Sequence, residues 1–124
     1  MQEFIEVFKR CDILDLQPFG SRVVGCATED SDYDFLVLVP KRPTLCNLAG
    51  TGFLPDAQDP LYGPHFSSWK RGKVNLVFTT SRSYFNVTLE ACDLCRKYKV
   101  YDKKDRCKIH AAYRDARKKL WPFN

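Results

Sequence analysis

FGSRVVGCATEDSDYDFLVLV, residues 19 to 39, is the stretch on which the fold turns. Its second half, Tyr33 to Pro40, is rich in β-branched and aromatic residues and is stopped by Pro40, the pattern of a largely buried strand. Asp32 and Asp34 flank Tyr33, so on an extended chain the two carboxylates share one face while Tyr33 and Phe35 take the other. In the first half, Gly20-Ser21 follows a short apolar stretch ending at Phe19, which predicts a strand that bends sharply into the N-terminus of a short helix over Arg22–Cys26. The polar run 28 to 32 reads as a loop.

Upstream, Phe4, Ile5, Phe8, Cys11 and Leu14 to Leu16 recur at helical spacing, predicting an amphipathic helix over 2–15 that Pro18 breaks. Downstream, the chain from Pro40 to Gly72 carries five prolines and four glycines, so 41–72 reads as a long, loop-like and functional or lid-like connection. KVNLVFTT, residues 73 to 80, is a second strand, expected beside the one that carries Asp34, and Gly72 favours a hairpin-like turn before it. Helical spacing of Tyr84, Phe85, Leu89, Cys92 and Cys95 predicts a helix over 82–98 capped by Ser83, and a last helix runs over 105–120. Together these elements describe a single α/β (α+β) domain over 1–124, with a core over about 1–80 and a basic helical part over about 82–120.

The chain has 124 residues, 44% hydrophobic and 28% charged, which is the composition of one globular domain and not of a disordered or low-complexity chain. No apolar run reaches the roughly 18 residues of a membrane span, and the N-terminus lacks a secretory pattern, so a soluble, cytoplasmic protein with no membrane partner is expected. In a reducing compartment the six cysteines read as free thiols or metal ligands before disulfides. Charge is segregated: residues 96 to 124 hold 11 basic and 3 acidic side chains, +8, which leaves −3 on residues 1 to 95. Such a basic end suits an RNA or an acidic protein, and also an ordinary solvated helix face.

Two neighbouring carboxylates repel, and they persist in one place when a divalent cation neutralises them. Hard oxygen ligands of this kind suit Mg²⁺ or Mn²⁺ bridging to phosphates. A solvated acid pair at the start of a strand is the simpler reading of Asp-x-Asp alone. The Gly20-Ser21 bend adds a hydroxyl and free backbone N–H groups next to the acids, a cradle for phosphate.

GSRVVGCATEDSDYD, residues 20 to 34, resembles the motif GSRxxGxAxxxSDxD of the minimal nucleotidyltransferase branch of the polymerase-β-like nucleotidyltransferase superfamily, with Arg22, Gly25, Ala27 and Ser31 also in place. The resemblance covers about residues 16 to 80. It implies a nucleotidyltransferase-like mixed sheet flanked by helices, with C-terminal helices, and transfer of a nucleoside monophosphate from an NTP such as ATP to a hydroxyl of a protein or RNA acceptor. It also implies nucleotide contacts by Gly20, Ser21, Arg22 and Ser31, with Asp32 and Asp34 as Mg²⁺ ligands. Compact members of this kind occur in tailed phages, for which the host cytoplasm would be the site of action.

The pattern breaks at one position. Where the family carries a third carboxylate on a later strand, ValAsnLeuValPhe has Asn75, which is neutral and cannot act as a base. Asn75 is therefore expected to position or weakly ligate the metal, and Asp30, Asp56 or Asp59 are candidates to replace the missing acid. The alternative is a catalytically impaired nucleotide-binding or inhibitory protein acting on a host factor.

Two further groups stand apart from this motif. Cys92, Cys95, Cys107 and His110 form two i, i+3 pairs that could close a tetrahedral Zn²⁺ site between two helices, although Cys92 and Cys95 also fit the apolar stripe of their helix. A zinc-stabilised nucleic-acid-binding domain is a third functional reading. Trp69 beside Lys70, Arg71 and Lys73 could stack a base and contact phosphates, and His65 could reach substrate from the long connection. Cys11, Cys26 and Cys46 read as packing residues. The oligomeric state is unspecified.

Overall fold

The computed structural model describes residues 5–56 and 66–120. In chain order the elements are α1 (Ile5–Cys11), β1 (Asp15–Phe19), α2 (Ser21–Val24), β2 (Tyr33–Leu38), α3 (Leu45–Leu48), β3 (Leu54–Pro55), β4 (Ser67–Arg71), β5 (Val74–Thr79), α4 (Arg82–Lys97) and α5 (Lys103–Leu120). One mixed sheet runs in the order β1-β2-β5-β4-β3, with β2 and β5 parallel and the other neighbours antiparallel. Asp34 stands opposite Asn75 in the β2–β5 pair, so the two strands read from sequence are indeed neighbours.

Alternation on the central strands sorts the core into two layers. Leu36, Leu38 and Val77 join Phe19, Phe85, Cys92 and Cys95 on the face covered by α2, α4 and α5. Val37, Val39, Leu76 and Phe78 face the other way, onto Val7 and Cys11 of α1 and Leu48 of α3. The fold is thus a mixed sheet between two helical layers, and each fully buried Phe or Leu contributes about 1.5–3 kcal/mol of apolar burial. The same alternation puts Asp34 and Asn75 on the α2/α4 face.

Several boundaries differ from those read in the sequence. The first helix ends at Cys11, not at residue 15, because Asp12 adopts a φ of 51° and the chain turns into β1. Pro18 does not stop a helix; it lies inside β1, where its missing N–H is tolerated because β1 is an edge strand. The connection 41–72 is not a loop throughout: it holds α3, β3 and β4, and β4 turns into β5 at Gly72, whose φ of 59° suits a tight hairpin. The cap of α4 is Ser81, whose hydroxyl accepts from the Tyr84 amide, and not Ser83. No described helix is long and apolar enough to cross a membrane.

Candidate nucleotide and metal site

The Gly-Ser bend and Asp34 converge. Phe19, the last residue of β1, is the register partner of Asp34, so the bend that follows lies beside that carboxylate. Gly20 has φ 84° and ψ −157°, and a Cβ built there would lie 2.4 Å from Asp34 Oδ2. Only a residue without a side chain fits both the backbone angle and the approach of the carboxylate. Ser21 then opens α2, with Val23 and Val24 amides bonded to the Gly20 carbonyl.

Asp34, Asn75 and Lys70 form a row across three adjacent strands, since Asn75 is the partner of Asp34 in β2 and of Lys70 in β4. The Asn75 side-chain amide donates to Asp34 Oδ1 at 3.2 Å, and its carbonyl accepts from the buried Ser68 hydroxyl at 2.7 Å. Lys70 Nζ lies 2.9 Å from Asp32 Oδ2, and that contact, opposed by partial burial and supported by the charges of Asp32, Asp56 and Asp34, holds the ammonium pKa above its ordinary value. Both acids therefore meet a protein donor or cation. Ser68 and Lys70 were missed as a pair in the sequence, where only the alternation of β4 could have put them on one face.

The donor set has a limit. Asp32 and Asp34 supply hard oxygen donors of the kind that suit a divalent ion. A second ion would need the third acid, and Asn75 turns its nitrogen, not its oxygen, toward Asp34. Among the described residues no three His, Cys, Asp or Glu side chains come together, so neither Asp30 nor Asp56 completes the pair. Asp59 and His65 lie outside the described residues.

Arg22 and Ser31 build the loop between the bend and the acids. Arg22 donates to the Ser31 carbonyl at 2.8 Å and its guanidinium stacks 3.8 Å from the centre of the Tyr33 ring, while Ser31 Oγ accepts from the Thr28 amide at 2.9 Å. Both are engaged in shaping the turn that delivers Asp32.

Other expectations do not survive the geometry. The zinc set is not assembled: Cys92 and Cys95 are buried in the helix–sheet core, and Cys107 packs against it. Burial pushes the Cys92 thiol up to about 11. His110 is buried, and that burial, with Arg114 and Arg106 nearby, pushes its pKa down to about 4. Trp69 is buried, its ring nitrogen donating to Ser67 Oγ at 3.0 Å, and cannot stack a base; Arg71 lies over Phe53 and Lys73 bonds the Glu29 carbonyl. Cys11 is a packing residue and Cys26 is half-buried, but Cys46 is exposed; none of the six cysteines forms a disulfide. A cavity of about 190 Å³ opens among Val39, Arg42, Phe66, Thr79 and Ser81. It lies at the far ends of β2 and β5 from Asp34 and Asn75, roughly four residues or 13 Å away along the strand.

A mixed sheet with a glycine-serine bend packed on an Asp-x-Asp strand defines a nucleotidyltransferase-type domain. The nucleotidyltransferase domain family matches residues 1–65, which include Gly20, Ser21, Asp32 and Asp34, and the chain belongs to that family. A solved structure of a cytoplasmic RNA terminal U-transferase is similar in fold, with a TM-score of 0.52 and 19% identity over 86% of this chain and 33% of that one. The chain thus spans about a third of that protein's length. No curated protein matches the sequence.

Proposed function

We propose that this domain binds an NTP with Mg²⁺ or Mn²⁺ at Gly20, Ser21, Asp32 and Asp34 and transfers the nucleoside monophosphate to a hydroxyl of an RNA or protein acceptor. One observation supports the reading: the carboxylate of Asp34 sits so close to Gly20 that no side chain fits between them, which puts the Gly-Ser bend beside one of the two acids. The bend offers backbone N–H groups and the Ser21 hydroxyl to phosphate oxygens. Asp32 and Asp34 would hold the divalent ion, which when bound supplies charge neutralisation on the triphosphate. The acceptor oxygen bonds to the α-phosphorus as pyrophosphate leaves. Asn75 cannot take the hydroxyl proton, which leaves Asp34 or solvent. Lys70 must yield Asp32 before both acids can face a cation, and in the free protein it limits their mutual repulsion.

A second reading is favoured by the same row of residues. With Asn75 donating to Asp34 and Lys70 paired with Asp32, both acids have a partner within the protein itself, as in a nucleotide-binding or inhibitory protein that acts on a host component, including one of phage origin. Incubation with α-phosphate-labelled NTPs, Mg²⁺ or Mn²⁺, and either total RNA or a cell extract distinguishes them. Label on an acceptor that disappears in Asp34→Asn supports transfer; saturable NTP binding with no labelled acceptor under any combination supports the binding protein.

A further inference from the structure

The turn between α4 and α5 is basic and aromatic. Residues 96 to 104, RKYKVYDKK, hold five cations and one acid. That acid is engaged in the fold: Asp102 Oδ1 accepts from the Asp105 amide at 3.2 Å, and its carbonyl accepts from Arg106, at the start of α5. Two large rings stand in solvent among the cations, Tyr98 at 65% and Tyr101 at 47% exposure. The Lys97 ammonium lies 5.5 Å from the centre of the Tyr98 ring, a cation beside a stacking face. The turn is anchored by Val100, which packs into the same core as Val23 and Cys26 at α2, and α4 touches the bend through Cys92 Sγ, 3.9 Å from the Gly20 carbonyl. The basic, aromatic surface is therefore tied to the helix that starts at Ser21.

We propose that this turn docks a single strand of nucleic acid, Tyr98 and Tyr101 stacking on unpaired bases while Lys97, Lys99 and Lys104 contact the intervening phosphates. Charge alone would serve an acidic peptide equally well. Exposed rings interleaved with cations match a ligand that alternates flat bases with anions, and a base offers every Tyr a stacking face whatever its identity. A duplex, whose bases are already stacked, leaves the rings unused. The inference deepens the transfer reading by naming the strand as acceptor and rests on it to that extent; docking itself does not depend on transfer.

The test is fluorescence anisotropy with a labelled oligouridylate of about twelve nucleotides, without nucleotide or metal. Saturable binding is expected, weakened about fivefold or more by Tyr98→Ala and by Tyr101→Ala and retained in Tyr98→Phe and Tyr101→Phe. Lys97→Gln and Lys99→Gln each lower the slope of log affinity against log salt by about 0.7. These side chains are exposed, and an unchanged thermal melt verifies folding of each variant. Absence of saturable binding at low salt, equal loss in the Ala and Phe variants, or displacement by a polyglutamate peptide as effective as by unlabelled oligouridylate overturns the proposal. A protein that binds the strand but transfers no label keeps this inference and loses the transferase.

Discussion

Lys70 reaches across from β4 and sets its ammonium 2.9 Å from Asp32 Oδ2, beside the row in which Asn75 donates to Asp34. A lysine and an amide thus stand against the two carboxylates. Because the Lys70 and Asp32 side chains are 38% and 35% exposed, the pair is a modest contact that a bound cation can displace.

Removing that competitor frees Asp32. Lys70→Met is expected to tighten Mg²⁺ binding in the absence of nucleotide by about two- to fivefold at low salt, read by calorimetry. Unchanged or weaker affinity for the ion would show that Lys70 does not compete with it.

Asn75→Asp restores an acid between Asp34 and Lys70. Without metal the added repulsion should lower the melting temperature, and Mg²⁺ should raise it by more than in the wild type. Label transfer should rise about tenfold or more if the reaction is limited by the missing ligand. A rate equal to the wild type at saturating Mg²⁺ counts against that limit.

Gly20→Ala introduces a Cβ 2.4 Å from Asp34 Oδ2 on a backbone with φ 84°. Destabilisation of about 2–4 kcal/mol is expected in urea titrations, from left-handed strain together with displacement of the carboxylate. The variant should also lose NTP binding at temperatures where it remains folded.

Acid should unfold the protein partly through His110. Its folded pKa, about 4, lies below the ordinary 6.5, so the unfolded chain takes up a proton that the folded chain refuses. No stability is lost to this group above about pH 6.5; between there and pH 4 it costs up to about 3 kcal/mol. In His110→Leu the stability difference from wild type should change over that window and level off outside it, as measured by denaturation across pH.

Lys99 ends α4 with a φ of 54°, a position where glycine is usual, and the Val100 amide bonds back to the Cys95 carbonyl. Lys99→Gly is expected to stabilise the fold by about 1 kcal/mol in thermal or urea unfolding. The same change should weaken binding of the oligouridylate, so stability and affinity move in opposite directions.

Local patterning made much of this site readable. Gly20-Ser21 and Asp32-x-Asp34 declare themselves because a tight bend needs glycine and a strand needs alternation, and both demands act over a few residues. The strand at 74–79 was equally plain from its apolar and β-branched residues, and its place beside β2 was expected from them. What escaped were decisions made elsewhere in the fold. Leu14 to Leu16 satisfy helical spacing and extended chain alike, and the hydrogen-bonding partner offered by β2 selected the strand, which the Leu14 amide joins at the Leu38 carbonyl. Trp69 beside three cations suggested an exposed stacking platform, yet alternation along β4 turned the ring into the core and Lys70 toward Asp32. Cys92, Cys95, Cys107 and His110 have ligand spacing, yet packing of α4 on the sheet put Cys92 and Cys95 into the core, while Cys107 and His110 of α5 are covered separately.

By itself the sequence determined the family, the bend, the acid pair and the absence of an acid at Asn75, because each rests on residue identity at short spacing. The tertiary structure alone decided what surrounds the two carboxylates. Lys70 reaches Asp32, and Ser68 reaches the Asn75 that bonds Asp34, only through the register of β4 on β5, a relation between strands that no short-range pattern encodes, and register sets which charges lie within a few ångströms of one another.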